Sequence, residues 1–211
     1  MGYLPGMLRA AALECVRDDR TLFAALSFAV EPGQVVAIEG RNGSGKTSLL
    51  RILCGIRAPD AGTVYWGGAD IAALGPDYHL HVAYVGHADG VKLDLTPREN
   101  LEFAAALGSR RSGADSEAIL RRVGLFALED IPTRLLSAGQ RRRLALARLL
   151  ATNAALWVLD EPLSSLDRAG IELFESLLSE HLSAGGLSVM TTHHRLALSG
   201  DRVQRLDLSA R

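Results

Sequence analysis

Lysine is almost missing from this 211-residue chain: it occurs twice, at Lys46 and Lys92, against twenty-one arginines. The charges balance to a formal net of -1, which excludes a general nucleic-acid binder, because such proteins carry a strong basic excess. Cysteine is scarce too. Cys15 and Cys54 have neither metal-site spacing nor a CxxC pairing, so a disulfide scaffold is excluded and buried, reduced thiols of a cytosolic protein are expected. No apolar run is long enough to span a membrane, since Leu144 to Leu159 is interrupted by Arg148, Thr152 and Asn153. The opening Met1–Gly6 lacks the charged-then-apolar layout of a signal peptide. Any role at a membrane therefore needs another chain. Repeats, low-complexity segments and linkers are likewise absent, and residues 1–211 suit one α/β domain burying roughly 70% of its unfolded surface.

What is present is a complete G-x-x-x-x-G-K-[ST] pattern: Gly40, Arg41, Asn42, Gly43, Ser44, Gly45, Lys46 and Thr47, followed by Ser48. The β-branched run Gln34–Glu39 before it reads as a buried strand, and Ser48–Ile56 after it carries apolar residues at helical spacing. The glycines let the backbone curl until successive N–H groups point inward, and the helix opening at Lys46 adds its positive dipole end. Such a concavity suits a polyphosphate. Lys46 is placed to reach β- and γ-phosphates and the Thr47 hydroxyl to meet Mg²⁺. A glycine turn capping a helix is the plain alternative, but this strand and helix are the context the motif requires.

The rest of the chain reads as an α/β order. Leu8–Val16, Leu22–Val30 and Val35–Glu39 are strands, with Glu31-Pro32-Gly33 as a turn. Thr63–Trp66 and His81–Val85 are further strands. A helical insertion of about 90–137 opens on Thr96-Pro97-Arg98-Glu99, a capping box with proline at the first helical position. Its helices are expected over 97–107 and 115–123, with a loop from Gly108 to Gly113. A long helix from Arg141 to Leu150, a strand Ala155–Asp160, a helix over 167–183 and strands Leu187–Thr192 and Val203–Leu208 complete the order. Arg141, Arg142 and Arg143 read as a solvated helix face, and His79 and His81 as an exposed pair on a strand.

Leu156–Asp160 delivers Asp160 and Glu161 to the carboxyl end of a buried strand, where ligand crevices of parallel sheets lie. Asp160 can hold Mg²⁺ through water, and Glu161 can orient or deprotonate an attacking water. Taken alone, the pair is an ordinary solvated strand end. Leu136-Ser137-Ala138-Gly139-Gln140 precedes the long helix, so Ser137 and the first-turn N–H groups form a second anion-binding helix end. Taken bare, it is an N-cap.

These motifs, in this order, resemble the nucleotide-binding subunit of ATP-binding-cassette (ABC) transporters over nearly the whole chain. Ser164-Ser165-Leu166-Asp167 is similar to the family's loop that crosses between subunits, and Thr192-His193 to its switch histidine. The resemblance implies a P-loop NTPase with a mixed sheet core, an N-terminal antiparallel β subdomain and a small α-helical subdomain. It also implies ATP and Mg²⁺ as ligands. Two copies would then face head to tail, each ATP lying between one copy's phosphate loop and the other's Ser137, Gly139 and Gln140. His193 would contact the γ-phosphate; His194 is expected to face solvent.

Two positions depart from the family pattern. His87 stands where most relatives carry a glutamine that meets the metal, and Arg17 stands about where an aromatic stacks on adenine; a guanidinium plane can stack on a base. The segment Tyr84–Lys92, with Leu95–Leu101, Leu136–Leu150 and Leu156–Leu163, resembles CcmA-type subunits, the haem-export group of cytochrome c biogenesis. That likeness implies a homodimer, peripheral on the cytoplasmic face of a bacterial inner membrane, with CcmB-like and CcmC-like integral partners. A soluble ABC ATPase acting on DNA or ribosomes is the competing class, yet the long coiled-coil insertion or fused second cassette usual there is missing. A P-loop kinase working without a partner copy is the third.

Overall fold

The computed structural model describes residues 6–108, 115–198 and 200–209. Its strands, in chain order, are Leu8–Arg17 (β1), Arg20–Val30 (β2), Val35–Glu39 (β3), Ala61–Trp66 (β4), Ala69–Asp70 (β5), Val82–Val85 (β6), Leu156–Asp160 (β7), Leu187–Thr191 (β8) and Val203–Asp207 (β9). The helices are Lys46–Leu53 (α1), Ile71–Leu74 (α2), Pro76–His79 (α3), Pro97–Leu107 (α4), Ser116–Arg122 (α5), Ala138–Thr152 (α6) and Arg168–Ser183 (α7). Parallel and antiparallel strands separate into two sheets. The antiparallel one runs β2-β1-β4-β5, and the parallel one runs β6-β7-β8-β3-β9.

The inner strands β3, β7 and β8 are buried on both faces, which is why they are largely apolar rather than alternating, whereas the edge strand β9 is mostly exposed and polar. Along β7, Leu156 and Val158 turn toward one cluster with α1 and the antiparallel sheet, whereas Trp157 and Leu159 join α6 and α7 on the other side. A third cluster, with Leu101, Leu120, Leu125, Leu144 and Ala147, joins α4 and α5 to α6. The helical region is thus fastened through one long helix.

Helix starts follow their caps. The Glu99 N–H donates to Thr96 Oγ1 at 3.2 Å while the Thr96 N–H donates to Glu99 Oε2 at 2.8 Å, closing the expected capping box at α4. Ser137 and Gln140 form a second box at α6, so that helix begins at Ala138, three residues before the expected Arg141. Asp167 caps α7 through the Gly170 N–H at 2.8 Å.

Three expectations need correction. His79 ends the short helix α3, opened by Pro76, and His81 lies just before β6, so the two do not share a strand face. Arg142 is 1% exposed rather than solvated. The first helix opens at Lys46 as expected but ends at Leu53, short of the Ile56 that the apolar spacing suggested. The loop expected over 108–113 falls mostly outside the described residues. Cys15 and Cys54 are free and buried as expected, and desolvation raises both thiols above their ordinary range.

His181 is the notable titratable group of the core. Its ring stacks on Trp157, with centroids 3.9 Å apart and planes 10° apart, and Nε2 lies 3.2 Å from the Leu187 carbonyl. Gly186 is required beside it, because a Cβ there would stand 2.2 Å from the ring. Burial lowers the imidazole pKa to about 4 from 6.5. The unfolded chain therefore takes up this proton first as pH falls, and stability from the neutral ring is present above 6.5 and lost toward 4. Between pH 7.5 and 5, denaturant titration should show the native chain losing on the order of 2 kcal/mol more than a His181→Phe variant; equal losses would contradict this.

Candidate nucleotide site

Parallel pairing brings the carboxyl ends of β3, β6, β7 and β8 to one edge. There they open a cleft of about 890 Å³ lined by Arg17, Arg41, Asn42, Gly43, Gly45, Lys46, Thr47, Ser48, His87, Asp160, Glu161 and His193, among others. The expected phosphate-loop, acidic and histidine positions thus meet in one place, and Arg17 and His87 stand with them. Ser137, Gly139 and Gln140 do not line it.

The loop after β3 needs its glycines for two separate reasons. Gly43 and Gly45 take φ of 80° and 96°, the left-handed region costly for residues with a Cβ. A Cβ on Gly45 would also come within 3.0 Å of Leu22 and 3.1 Å of Phe23, so the antiparallel sheet supports the loop from behind. Gly45 caps α1 without a side chain, leaving the first N–H groups of that helix to a ligand. Ser44 Oγ is buried with no partner, a polar atom of the kind that marks a site for an oxygen-rich ligand. Lys46 Nζ donates to the Gly40 carbonyl at 2.6 Å, bridging the loop.

Opposite stands Asp160, 3% exposed. Its Oδ2 accepts from Thr47 Oγ1 at 2.8 Å and its Oδ1 from Thr191 Oγ1 at 2.8 Å. The Glu161 N–H donates in turn to Thr191 Oγ1 at 2.8 Å. One carboxylate thus joins α1, β7 and β8. Thr47 and Asp160 are hard oxygen donors side by side, the set a small divalent cation takes. Glu161 is held at φ 50°, uncommon for a residue with a side chain, and its Oε1 lies 3.4 Å from His193 Nε2.

Ser137 and Gln140 satisfy their own helix end, with the Gln140 N–H donating to Ser137 Oγ at 3.2 Å and the Ser137 N–H to Gln140 Oε1 at 2.8 Å. The first-turn amides of Ala138 and Gly139 have no intrahelical acceptors. Gly139 packs close to the Ser165 carbonyl, 3.1 Å from where a Cβ would sit. Arg143 Nη2 donates to Asp167 Oδ1 at 2.7 Å, so the helix tip and the 164–167 loop form one surface. Sequence reading missed Thr191, hidden in an apolar strand, and Arg142. The latter had left a signal, for it shares its helix face with Ala145, Leu146 and Leu149, all buried.

The ABC transporter family profile matches residues 23–164. The chain is 50% identical over 204 residues to the cytochrome c biogenesis ATP-binding export protein CcmA of Nitrosomonas europaea, covering 96% of each. It belongs to the CcmA group of the ABC transporter family. The Methylococcus capsulatus protein of the same name is 48% identical over 195 residues, covering 92% of this chain and 94% of that one. Among solved structures, an ATP-binding subunit of an ABC transporter superposes with a TM-score of 0.81 at 23% identity, covering 95% of this chain and 85% of its own. A nucleotide-free ATP-binding cassette gives 0.76 at 23% identity, covering 96% and 88%. As an ABC ATP-binding subunit of this group, the chain is an ATPase, and among its described residues no helix is long and apolar enough to cross a membrane.

Removing one of the two hydroxyls on Asp160 should leave a buried carboxylate oxygen unsatisfied. Thr47→Ala is expected to destabilise the nucleotide-free chain by about 1–3 kcal/mol, with Thr47→Ser restoring most of it. Unchanged stability of the alanine variant in thermal unfolding would count against the Asp160 hinge.

Proposed function

We propose that this chain is the ATP-hydrolysing subunit of an exporter serving cytochrome c biogenesis, with haem-related cargo. It would act peripherally on the cytoplasmic face of a bacterial inner membrane, driving CcmB-like and CcmC-like integral partners and releasing a holo haem chaperone on the far side. The observation that carries this reading is the likeness to CcmA proteins along nearly the full length of both chains, joined to the convergence of loop, carboxylates and histidine on one cleft.

In this reading the amides of 41–48, with Gly40 at the loop's start, cradle the phosphates, and Lys46 leaves the Gly40 carbonyl to meet β- and γ-oxygens. The residues fit Mg²⁺, which Thr47 and Asp160 would hold, with His87 lining the same cleft. When bound, it neutralises charge on the β- and γ-oxygens. Glu161 accepts the proton of the attacking water at its carboxylate, while His193 steadies that carboxylate and meets the γ-phosphate. Arg17 offers its guanidinium plane to the base.

A second copy is needed because Ser137, Gly139 and Gln140 stand outside their own chain's cleft. The free amides of Ala138 and Gly139, at the positive end of α6 that the Ser137–Gln140 box closes, suit the γ-phosphate held by a partner copy. Each ATP is then closed in by two chains.

ATPase rate should rise faster than linearly with enzyme concentration, and Glu161→Gln should lose about a hundredfold in turnover while retaining ATP. A linear rise or unchanged turnover contradicts the corresponding assignment. Tagged full-length chain purified from membranes is expected to bring integral proteins and a haem-carrying species with it; recovery without either removes the proposed assembly.

A further inference from the structure

Arg142 lies on the second turn of α6, buried, and every N–H of its guanidinium has an acceptor. Nε donates to the Pro162 carbonyl at 3.0 Å, Nη1 to the Gly86 carbonyl at 3.0 Å and to Asp89 Oδ1 at 3.2 Å. Nη2 donates to the carbonyls of Asp160 at 3.1 Å and Glu161 at 2.5 Å. One side chain therefore fastens three segments: the helix that begins at the Ser137 cap, the end of β7 with the turn that follows it, which carry Asp160 and Glu161, and the loop after β6 that carries His87.

Successive carbonyls of an extended strand point to opposite sides. Those of Asp160, Glu161 and Pro162 instead converge on a single cation, which requires the chain to bend between them. The left-handed φ of 50° at Glu161 is that bend. An apolar residue of similar volume could fill the space, as it often can for a buried ion pair, but it could not gather three carbonyls. A residue held in so sparsely populated a conformation persists only where its surroundings dictate it.

We infer that Arg142 is a positioning residue for hydrolysis: it holds Glu161 in the bend that aims its carboxylate at the cleft, and it ties that aim to the placement of the Ser137 helix tip. The inference rests on the reading of Glu161 as base and of the helix tip as facing a partner copy's nucleotide. Movement of α6 when its tip meets that nucleotide is passed through one rigid, planar group to the chain's own base. Engagement at one ATP is thereby felt at the other.

The test is a double-mutant cycle in the full-length chain. Arg142→Gln should lower kcat about tenfold to a hundredfold, as a displacement near 1 Å does, while the Kd for MgATP stays within about twofold of native. Arg142→Lys should recover only part, because an ammonium lacks the planar fork that meets five acceptors. In the Glu161→Gln background, adding Arg142→Gln should leave the residual single-turnover rate nearly unchanged, as expected for a residue acting through Glu161. Native kcat in the single variant, additive losses in the cycle, or ATP affinity falling in step with kcat would each overturn the inference. If Arg142→Gln does not fold, Arg142→Lys, which keeps a charge beside Asp89, carries the same test, and native kcat there overturns it. Full turnover in Glu161→Gln alone would remove the base assignment itself, whereas a normal loss there with an unaffected Arg142→Gln removes only this inference.

Discussion

The Asp160 carboxylate is the constraint on which the arrangement depends. Buried at the end of β7, it is tolerable only because hydroxyls from two other elements donate to it, Thr47 from α1 and Thr191 from β8. A buried carboxylate lacking donors would carry a desolvation penalty of several kcal/mol. Satisfying Asp160 therefore forces the phosphate loop, the acidic strand end and the strand leading to His193 into one geometry. The same network fixes the backbone of Glu161 through the Thr191 hydroxyl.

The two sheets divide the work. The parallel sheet aligns strand ends at one edge, the place where an α/β fold presents its ligands. The antiparallel sheet stands behind the loop, with Leu22 and Phe23 of β2 against Gly45, so that the glycine is demanded by packing as well as by φ. The helical region, fastened through α6, carries the Ser137 tip away from the chain's own cleft. On the proposed head-to-tail pairing, that separation leaves each cleft to be completed by a second copy.

How much of this was legible in the sequence depended on range. Features set within a few residues were readable: the glycine loop, the Thr96–Glu99 box, the Ser137 cap, and the carboxylates after an apolar strand. Features set by distant chain were not. Arg142 looks like one arginine of a solvated triplet until the carbonyls of 160–162 and of Gly86 fold around it. Thr191 is indistinguishable from any β-branched strand residue, and only its neighbour β7 makes its hydroxyl matter. His79 was placed on a strand because the apolar alternation nearby hid the short helix that Pro76 opens.

The central claim is that backbone amides at residues 41–48 grip a chain of phosphates. Titration calorimetry of the folded chain with MgATP, MgADP and AMP tests it most directly. The account predicts saturable binding of one ATP per chain, with AMP weaker by about a hundredfold or more because it lacks the phosphates the loop encloses. Equal affinity for ATP and AMP, or no saturation by any of them, would contradict it.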